Sequence, residues 1–385
     1  MSGNGGELIF QSTRRFFAQT HKGISGIAKE ELSEYGASDC KISYNGVYFS
    51  ADNESLYKIN YMAKTVSRIL APMISFSVHS EKELYKKCMS FEWEQFMDSE
   101  KTFAVSSSVS GSKITHSKFA ALRVKDAIAD RLLNKFGKRP DVNVENPDIP
   151  INLNIRNNFC TLSYDTSGKS LHKRGYRINQ VSAPLNETLA ASILRISQWD
   201  GSVPLYDPMA GSGTFLGEAA LRYGKMPSSV KERNFGFFNM PGFNEDLWHK
   251  VKNNCDKNTE KILPGIITGS DIEKINVRAA RQNMNTIKGG KNILITRKDF
   301  RDIESIENSI IISNLPYGKR MGDIDEVGEL YQEFGDFLKQ RCKGSKAFLL
   351  CGSTNLVKKI GLRTSRKIPM FNGPIETRLV ELNIY

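Results

Sequence analysis

Four short stretches hold residues whose types and order could do chemistry. The first is Asp207-Pro208-Met209-Ala210-Gly211-Ser212-Gly213-Thr214, set between the apolar run VPLY and the helical TFLGEAAL. Glycines at 211 and 213 let the backbone turn tightly and approach a ligand, and the helix start that follows offers free N–H groups and a positive dipole end. A Walker phosphate loop would need Gly-Lys-Ser/Thr, whereas Gly213 is followed by Thr214 and Phe215. The dinucleotide pattern G-x-G-x-x-G fits only in part, because Gly217 comes one position late. An acid opening such a loop suits a ligand that carries an ammonium group.

The second and third stretches end in acids, Asp271 in IITGSD with Ile272 after it, and Asp299 in ITRKDF with Phe300 after it. A carboxylate at the tip of a second strand can accept both ribose hydroxyls of a nucleoside, and one at the tip of a third can meet an adenine amino group. Either acid alone reads as a helix cap; their order after the glycine loop favours ligand binding. The fourth stretch is Ser313-Asn314-Leu315-Pro316-Tyr317-Gly318, after the run SIIIS. The exocyclic amino nitrogen of a purine is a poor nucleophile, since its lone pair is delocalised into the ring. An Asn oxygen and the next main-chain carbonyl can bind both its hydrogens and aim the lone pair at a methyl donor. Pro316 stiffens that turn, and Tyr317 offers a flat face to a base swung out of its helix.

These stretches need a scaffold that brings strand ends together. After Asn186 the apolar runs VPLYD, GIITGSD, NILITRKD, SIIISN, KAFLLC and RLVELNI alternate with the helical TFLGEAALRY, EKINVRAARQNMN and EVGELYQEFGDFLKQR. Continuous apolar strands alternating with helices predict an α/β doubly wound, Rossmann-like domain whose ligands sit at the carboxyl ends of its strands. From Phe16 to about Asp165 the texture is α+β, with a helix expected over Ser117–Phe136, where Ala120, Val124, Ile128 and Leu132 recur every four residues. Between Lys169 and Pro184 the chain is basic and turn-rich, and a linker is placed there.

The whole sequence has 385 residues, a formal charge of +12, 39% hydrophobic residues and six scattered cysteines. The length predicts at least two domains and the charge predicts polyanionic partners, with binding that weakens as salt rises. No C-x-x-C pair argues for a metal site, no apolar run is long enough to cross a membrane, and the polar start lacks a signal peptide's apolar core. A cytoplasmic protein without metal is expected.

Together the glycine loop, the two acids and the N-x-P-Y element resemble the class I methyltransferases that act on amino nitrogens. HSKFAALRVKDAIAD (116–130), LHKRGYR (171–177), APLNETLAASIL (183–194) and the terminal FNGPIETRLVELNIY are similar to the bacterial large subunit (23S) ribosomal RNA guanine-N2 methyltransferase family. That resemblance implies a ferredoxin-like segment (12–54), a THUMP RNA-binding domain (55–165), a basic linker (166–185) and a class I methyltransferase domain (186–385). It implies S-adenosyl-L-methionine as cofactor, held by Asp207, Met209, Ala210, Gly211, Ser212, Gly213, Asp271, Ile272, Asp299 and Phe300, with Asn314, Pro316 and Tyr317 as the catalytic group. The partner it implies is 23S ribosomal RNA or a ribosomal precursor, gripped in part by Lys173, Arg174 and Arg177. Two positions depart from the family pattern: Ala210 stands where Cys is common, and Leu315 where a second Pro is usual, from which a slightly less rigid loop is expected. A THUMP-bearing transfer RNA guanine-N2 methyltransferase, a DNA adenine-N6 methyltransferase and a non-catalytic RNA-binding assembly protein are the alternatives. Oligomeric state and target nucleotide are not legible in the sequence.

Overall fold

The expected alternation of apolar runs and helices appears as two seven-stranded sheets. The computed structural model describes residues 8–179, 185–317 and 323–385. Residues 180–184 of the expected linker, the Ala183-Pro184 start of one family-like run, and Gly318 lie outside the described residues.

The N-terminal half runs α1 (Ile9–Thr13), β1 (Arg15–Gln19), α2 (Ser25–Glu34), β2 (Ser38–Ser43), β3 (Gly46–Ser50), α3 (Asn53–Met62), β4 (Arg68–Ser77), α4 (Glu81–Ser90), β5 (Phe103–Ser110), α5 (Ser117–Phe136), β6 (Ile149–Arg156) and β7 (Phe159–Asp165). Its sheet has the order β2-β3-β1-β4-β7-β6-β5. Strand β4 pairs with β1 through Leu70, Ile69 and Arg68 and with β7 along its whole length, so one ten-residue strand fuses two subdomains into a single sheet. The division expected after residue 54 therefore falls inside α3, where the chain does not break. Helix α5 buries Ala120, Val124, Ala127, Ile128 and Leu132 on one stripe and ends at Gly137, whose left-handed φ of 72° lets its N–H return to the Leu133 carbonyl.

The second half runs α6 (Glu187–Ile196), β8 (Leu205–Asp207), α7 (Thr214–Tyr223), α8 (Glu245–Lys257), β9 (Ile267–Asp271), α9 (Lys274–Met284), β10 (Leu294–Arg297), β11 (Ile310–Asn314), α10 (Asp323–Arg341), β12 (Lys346–Cys351), α11 (Thr354–Lys359), β13 (Arg366–Asn372) and β14 (Ile375–Asn383). The sheet order is β10-β9-β8-β11-β12-β14-β13. It is parallel from β10 to β12, and β14 enters antiparallel. The strand order reverses between β8 and β11, the point at which such sheets open a crevice beyond their carboxyl ends. The β8 loop and the Asn314 turn both emerge there.

The halves are joined more firmly than a basic linker would allow. Phe235, Phe237, Trp248 and Val251, from the stretch between α7 and β9, belong to the apolar cluster of the N-terminal half. Tyr57 stacks on Phe237 with ring centroids 4.7 Å apart, and the Tyr61 hydroxyl donates to Asp256 at 2.7 Å. The expected linker also corrects itself in part: Leu171, Arg174 and Tyr176 are core residues with 1% exposure or less. Arg174 donates to Glu218 of α7 at 3.1 Å and to the main-chain carbonyls of Leu171 and Lys64, while the Tyr176 hydroxyl donates to the same Glu218 at 3.0 Å. A buried carboxylate on α7 requires such partners, because an unpaired charge out of water is expensive. No helix among the described residues is long and apolar enough to cross a membrane, and no cluster of His, Cys, Asp and Glu among them could hold a metal.

Candidate active site

A cavity of about 1270 Å³ opens at the strand-order reversal. Its wall includes Asp207, Met209, Ala210, Gly211 and Ser212 from the glycine loop and Asn314, Leu315, Pro316 and Tyr317 from the β11 turn. The two motifs, a hundred residues apart in sequence, thus share one chamber.

The glycine loop is shaped by local constraints. Gly213 caps α7 at φ 83°, and a Cβ there would stand 3.3 Å from the Ala280 side chain, so both backbone and packing require glycine. Gly211 has φ 54° with nothing near a would-be Cβ, which leaves its face open to the cavity. Asp207 is 2% exposed; its Oδ1 accepts from the Met209 N–H at 3.1 Å and from the Ser313 hydroxyl at 2.9 Å. Burial pushes its carboxyl up to about 7, opposed by those two hydrogen bonds and assisted by the nearby Asp271. A carboxylate so placed, with no ion pair to a cation among the described residues, fits an arriving ammonium group.

Asp271 works differently from the expectation. Its Oδ2 accepts from the Gly211 N–H at 2.8 Å, and its Oδ1 accepts from the Glu273 N–H at 2.9 Å and the Asn276 amide at 3.0 Å. Three bonds already hold the carboxylate, whose first task is to fix the glycine loop; neither it nor Ile272 lines the cavity. Glu273, two residues on, is an exposed acid at the same strand end and a second candidate for ribose hydroxyls, signalled in the sequence by the pair of acids in SDIE. Ile272 is 53% exposed, leaving its side chain free to cover an aromatic ring. Asp299 caps the short helix after β10 and pairs with Arg301 at 2.9 Å, outside the cavity wall. The Phe300 ring packs on Phe334 and Phe337 in a buried cluster, which leaves its main chain as the part that could meet a ligand.

At the β11 turn, Asn314 ends the strand and its Oδ1 accepts from the Tyr317 hydroxyl. Leu315 replaces the family's second proline without loosening the turn. Its side chain is fully buried and its N–H donates to the Leu350 carbonyl at 3.0 Å, a bond proline could not make. The Tyr331 hydroxyl of α10 donates to the Pro316 carbonyl at 3.2 Å and accepts from the Gly352 N–H at 3.4 Å. A Cβ on Gly352 would stand 2.8 Å from Cβ of Tyr317, so glycine there admits the aromatic residue. The roles of Ser313, Tyr331 and Gly352 are not legible in the sequence because they depend on contacts between elements far apart in the chain.

The rest of the wall comes from elsewhere in the chain: His21, His172, Lys173, Arg177, Glu187, Asn276 and the β13–β14 hairpin at Asn372 and Gly373. Burial, with Arg174 and Lys173 nearby, holds the His172 imidazole down at about 4, so it is neutral near pH 7. Of the three basic residues expected to grip RNA, Lys173 alone is exposed. Arg174 is locked onto Glu218, and Arg177 is 10% exposed at its side chain, paired with Glu187 at 3.3 Å and donating to the Thr214 hydroxyl at 2.8 Å. The charge run was legible, but the buried acids that claim it were not.

Residues 174–381 match the family described as "RMKL-like, methyltransferase domain", residues 78–165 match the THUMP domain, and residues 15–70 match the RlmL ferredoxin-like domain. A Synechocystis protein named provisionally as an RNA methyltransferase is 37% identical over 97% of this chain and 98% of its own length. A ribosomal RNA large subunit methyltransferase K/L of Syntrophotalea carbinolica is 35% identical over 96% of the chain; the chain spans about half of that relative, 53% of its length. Among solved structures, SMU.472, provisionally a methyltransferase and complexed with SAH, is 27% identical, with a TM-score of 0.85 over 96% of this chain and 98% of its own. The chain belongs to the RMKL-like family of S-adenosylmethionine-dependent methyltransferases, with ferredoxin-like and THUMP domains ahead of the catalytic one.

Proposed function

We propose that this protein methylates the exocyclic N2 of a guanine in 23S ribosomal RNA, in the cytoplasm. One observation carries the reading: Asn314, Pro316 and Tyr317 face the same cavity as the glycine loop and the buried Asp207. S-adenosylmethionine bound there supplies an electrophilic methyl group on a sulfonium. Asp207 and the N–H groups of the loop are the residues that would hold its amino-acid end, and Glu273 or the remaining lone pair of Asp271 its ribose.

The chain's own work is positional. Asn314 Oδ1 and the Leu315 carbonyl would accept the two amino hydrogens of the base, concentrating the nitrogen lone pair on the donor side. For the base to enter, the Tyr317 hydroxyl must share or release Asn314, which places the ring where it can stack on the incoming purine. Tyr331 keeps the Pro316 carbonyl fixed while this happens. The choice of ribosomal RNA over transfer RNA is supported by the family-like runs across the chain and by the K/L relative's name; the N-terminal THUMP match favours RNA over DNA. Mass spectrometry of ribosomal RNA nucleosides from cells with and without the gene tests the reading. Loss of one N2-methylguanosine from the large subunit RNA is expected, and an unchanged nucleoside profile would overturn it.

A further inference from the structure

Next to the cavity wall, the chain gathers an aromatic and cationic patch that the proposed chemistry does not use. Tyr44 sits at the tip of the β2–β3 hairpin, in the two-residue turn Tyr44-Asn45, and is 55% exposed. Such turns favour Asn, Asp and Gly, so a large ring at the tip is not there for turn geometry. The Thr20 N–H donates to the Asn45 carbonyl at 2.8 Å, which fastens the turn to the segment that carries His21 and Lys22.

Lys22 Nζ lies 5.5 Å from the Tyr44 ring centroid and 4.4 Å from that of Phe371, and the Arg156 guanidinium lies 5.5 Å from the Tyr44 ring. Both cations are exposed, and neither pairs with a carboxylate among the described residues. Four parts of the chain therefore meet here: the loop after β1 that carries Lys22, the β2–β3 hairpin, the end of β6 in the THUMP region, and the β13–β14 hairpin of the catalytic domain. The patch adjoins the cavity on two sides, since His21 and Asn372, the chain neighbours of Lys22 and Phe371, line it.

An exposed ring flanked by unpaired cations matches the make-up of single-stranded nucleic-acid sites, where bases stack on aromatic faces and phosphates pair with Lys and Arg. We propose that Tyr44, Lys22 and Arg156 bind the RNA strand flanking the target nucleotide, with a neighbouring base on Tyr44 and its phosphates on the two cations. This rests on the RNA-methyltransferase reading and names where that substrate leaves the active site. A strand pinned beside the cavity mouth would hold the flipped nucleotide in register and prevent the duplex from closing over it.

The test uses the full-length protein and undermethylated ribosomal RNA from cells lacking the gene. Tyr44→Ala should weaken RNA binding and raise KM on the order of tenfold, because one stacked base is lost. Tyr44→Phe, which keeps the ring, should match the parent, and S-adenosylmethionine affinity should be unchanged in both. Lys22→Ala with Arg156→Ala should make the dependence of log affinity on log salt shallower by roughly 1.4, at about 0.7 per phosphate contact on a single strand. Parental KM and salt slope in these variants would overturn the assignment while leaving the methyltransferase reading intact. Equal losses in Tyr44→Ala and Tyr44→Phe would overturn the stacking role. Loss confined to assembling particles, with naked RNA bound normally, would assign the patch to a protein partner and overturn it as well. A parent protein that neither binds nor methylates RNA would remove both the reading and the inference.

Discussion

Asp207 should make cofactor binding release a proton. Burial raises its carboxyl from 3.8 to about 7, which corresponds to about 4 kcal/mol of differential cost for holding the charge. Between those values the folded chain keeps a proton that the unfolded chain has lost, so this group's contribution to stability falls as pH rises from 3.8 to about 7 and is at its least favourable above that. An ammonium group arriving beside Asp207 reverses the balance by favouring the carboxylate. Calorimetric titration of S-adenosylmethionine in buffers of different ionisation enthalpy should show close to one proton released at pH 6 and little at pH 8, with affinity rising between them. Asp207→Asn keeps an oxygen for the Met209 N–H and the Ser313 hydroxyl. It should therefore raise the Tm of the ligand-free protein at pH 8 by up to about 8–16 °C, at about 2–4 °C per kcal/mol for a domain of this size, while binding the cofactor weakly and without proton release. A pH-independent affinity with no proton release, together with an unchanged or lowered Tm in Asp207→Asn, would refute the argument.

Three further outcomes follow from the same geometry. Arg174→Ala strands Glu218 and two buried carbonyls, so a loss of about 3–5 kcal/mol is expected in denaturant unfolding, with RNA affinity nearly unchanged below the unfolding transition; a clear drop in RNA affinity at full foldedness would restore its expected phosphate role. Gly352→Ala drives a methyl group against Tyr317 and should cut the single-turnover rate at least tenfold with little change in cofactor affinity, measured by rapid quench and titration. Tyr317→Phe removes a bond to Asn314 that must in any case be shared or released for the base to enter, and it keeps the stacking ring, so single-turnover rates close to the parent's are expected, against a much larger loss in Tyr317→Ala.

Much of this was written along the chain. The apolar runs after Asn186 placed every strand of the parallel sheet, and α5 appeared over the expected Ser117–Phe136. Motifs fixed by backbone geometry, such as the glycine loop and the Asn314 turn, carry their signal locally, and the structure brings the two to one cavity. Residues whose meaning depends on a distant partner were not. Arg174 reads as a surface cation until Glu218 is known to be buried opposite it, and the Phe300 ring as open to a ligand until Phe334 and Phe337 close around it. Leu315 looked like a loss of rigidity because the Leu350 carbonyl and the Tyr331 hydroxyl lie thirty-five and sixteen positions further on. Contacts between subdomains are illegible for a related reason: β4 pairs with strands of both N-terminal subdomains, and aromatic residues between α7 and β9 pack outside the sheet that flanks them in sequence.

The most direct test of the central claim is in vitro methylation with isotope-labelled S-adenosylmethionine. Purified protein and its Asn314→Ala variant would each be incubated with ribosomal RNA from cells lacking the gene, and the RNA digested to nucleosides and separated. The account predicts label in N2-methylguanosine of the large subunit RNA with the parent protein. The Asn314→Ala variant should bind the cofactor normally and leave label reduced on the order of a hundredfold, as expected when the reacting nitrogen is no longer held in place. Label in a different nucleoside, or near-normal turnover by Asn314→Ala, would contradict it.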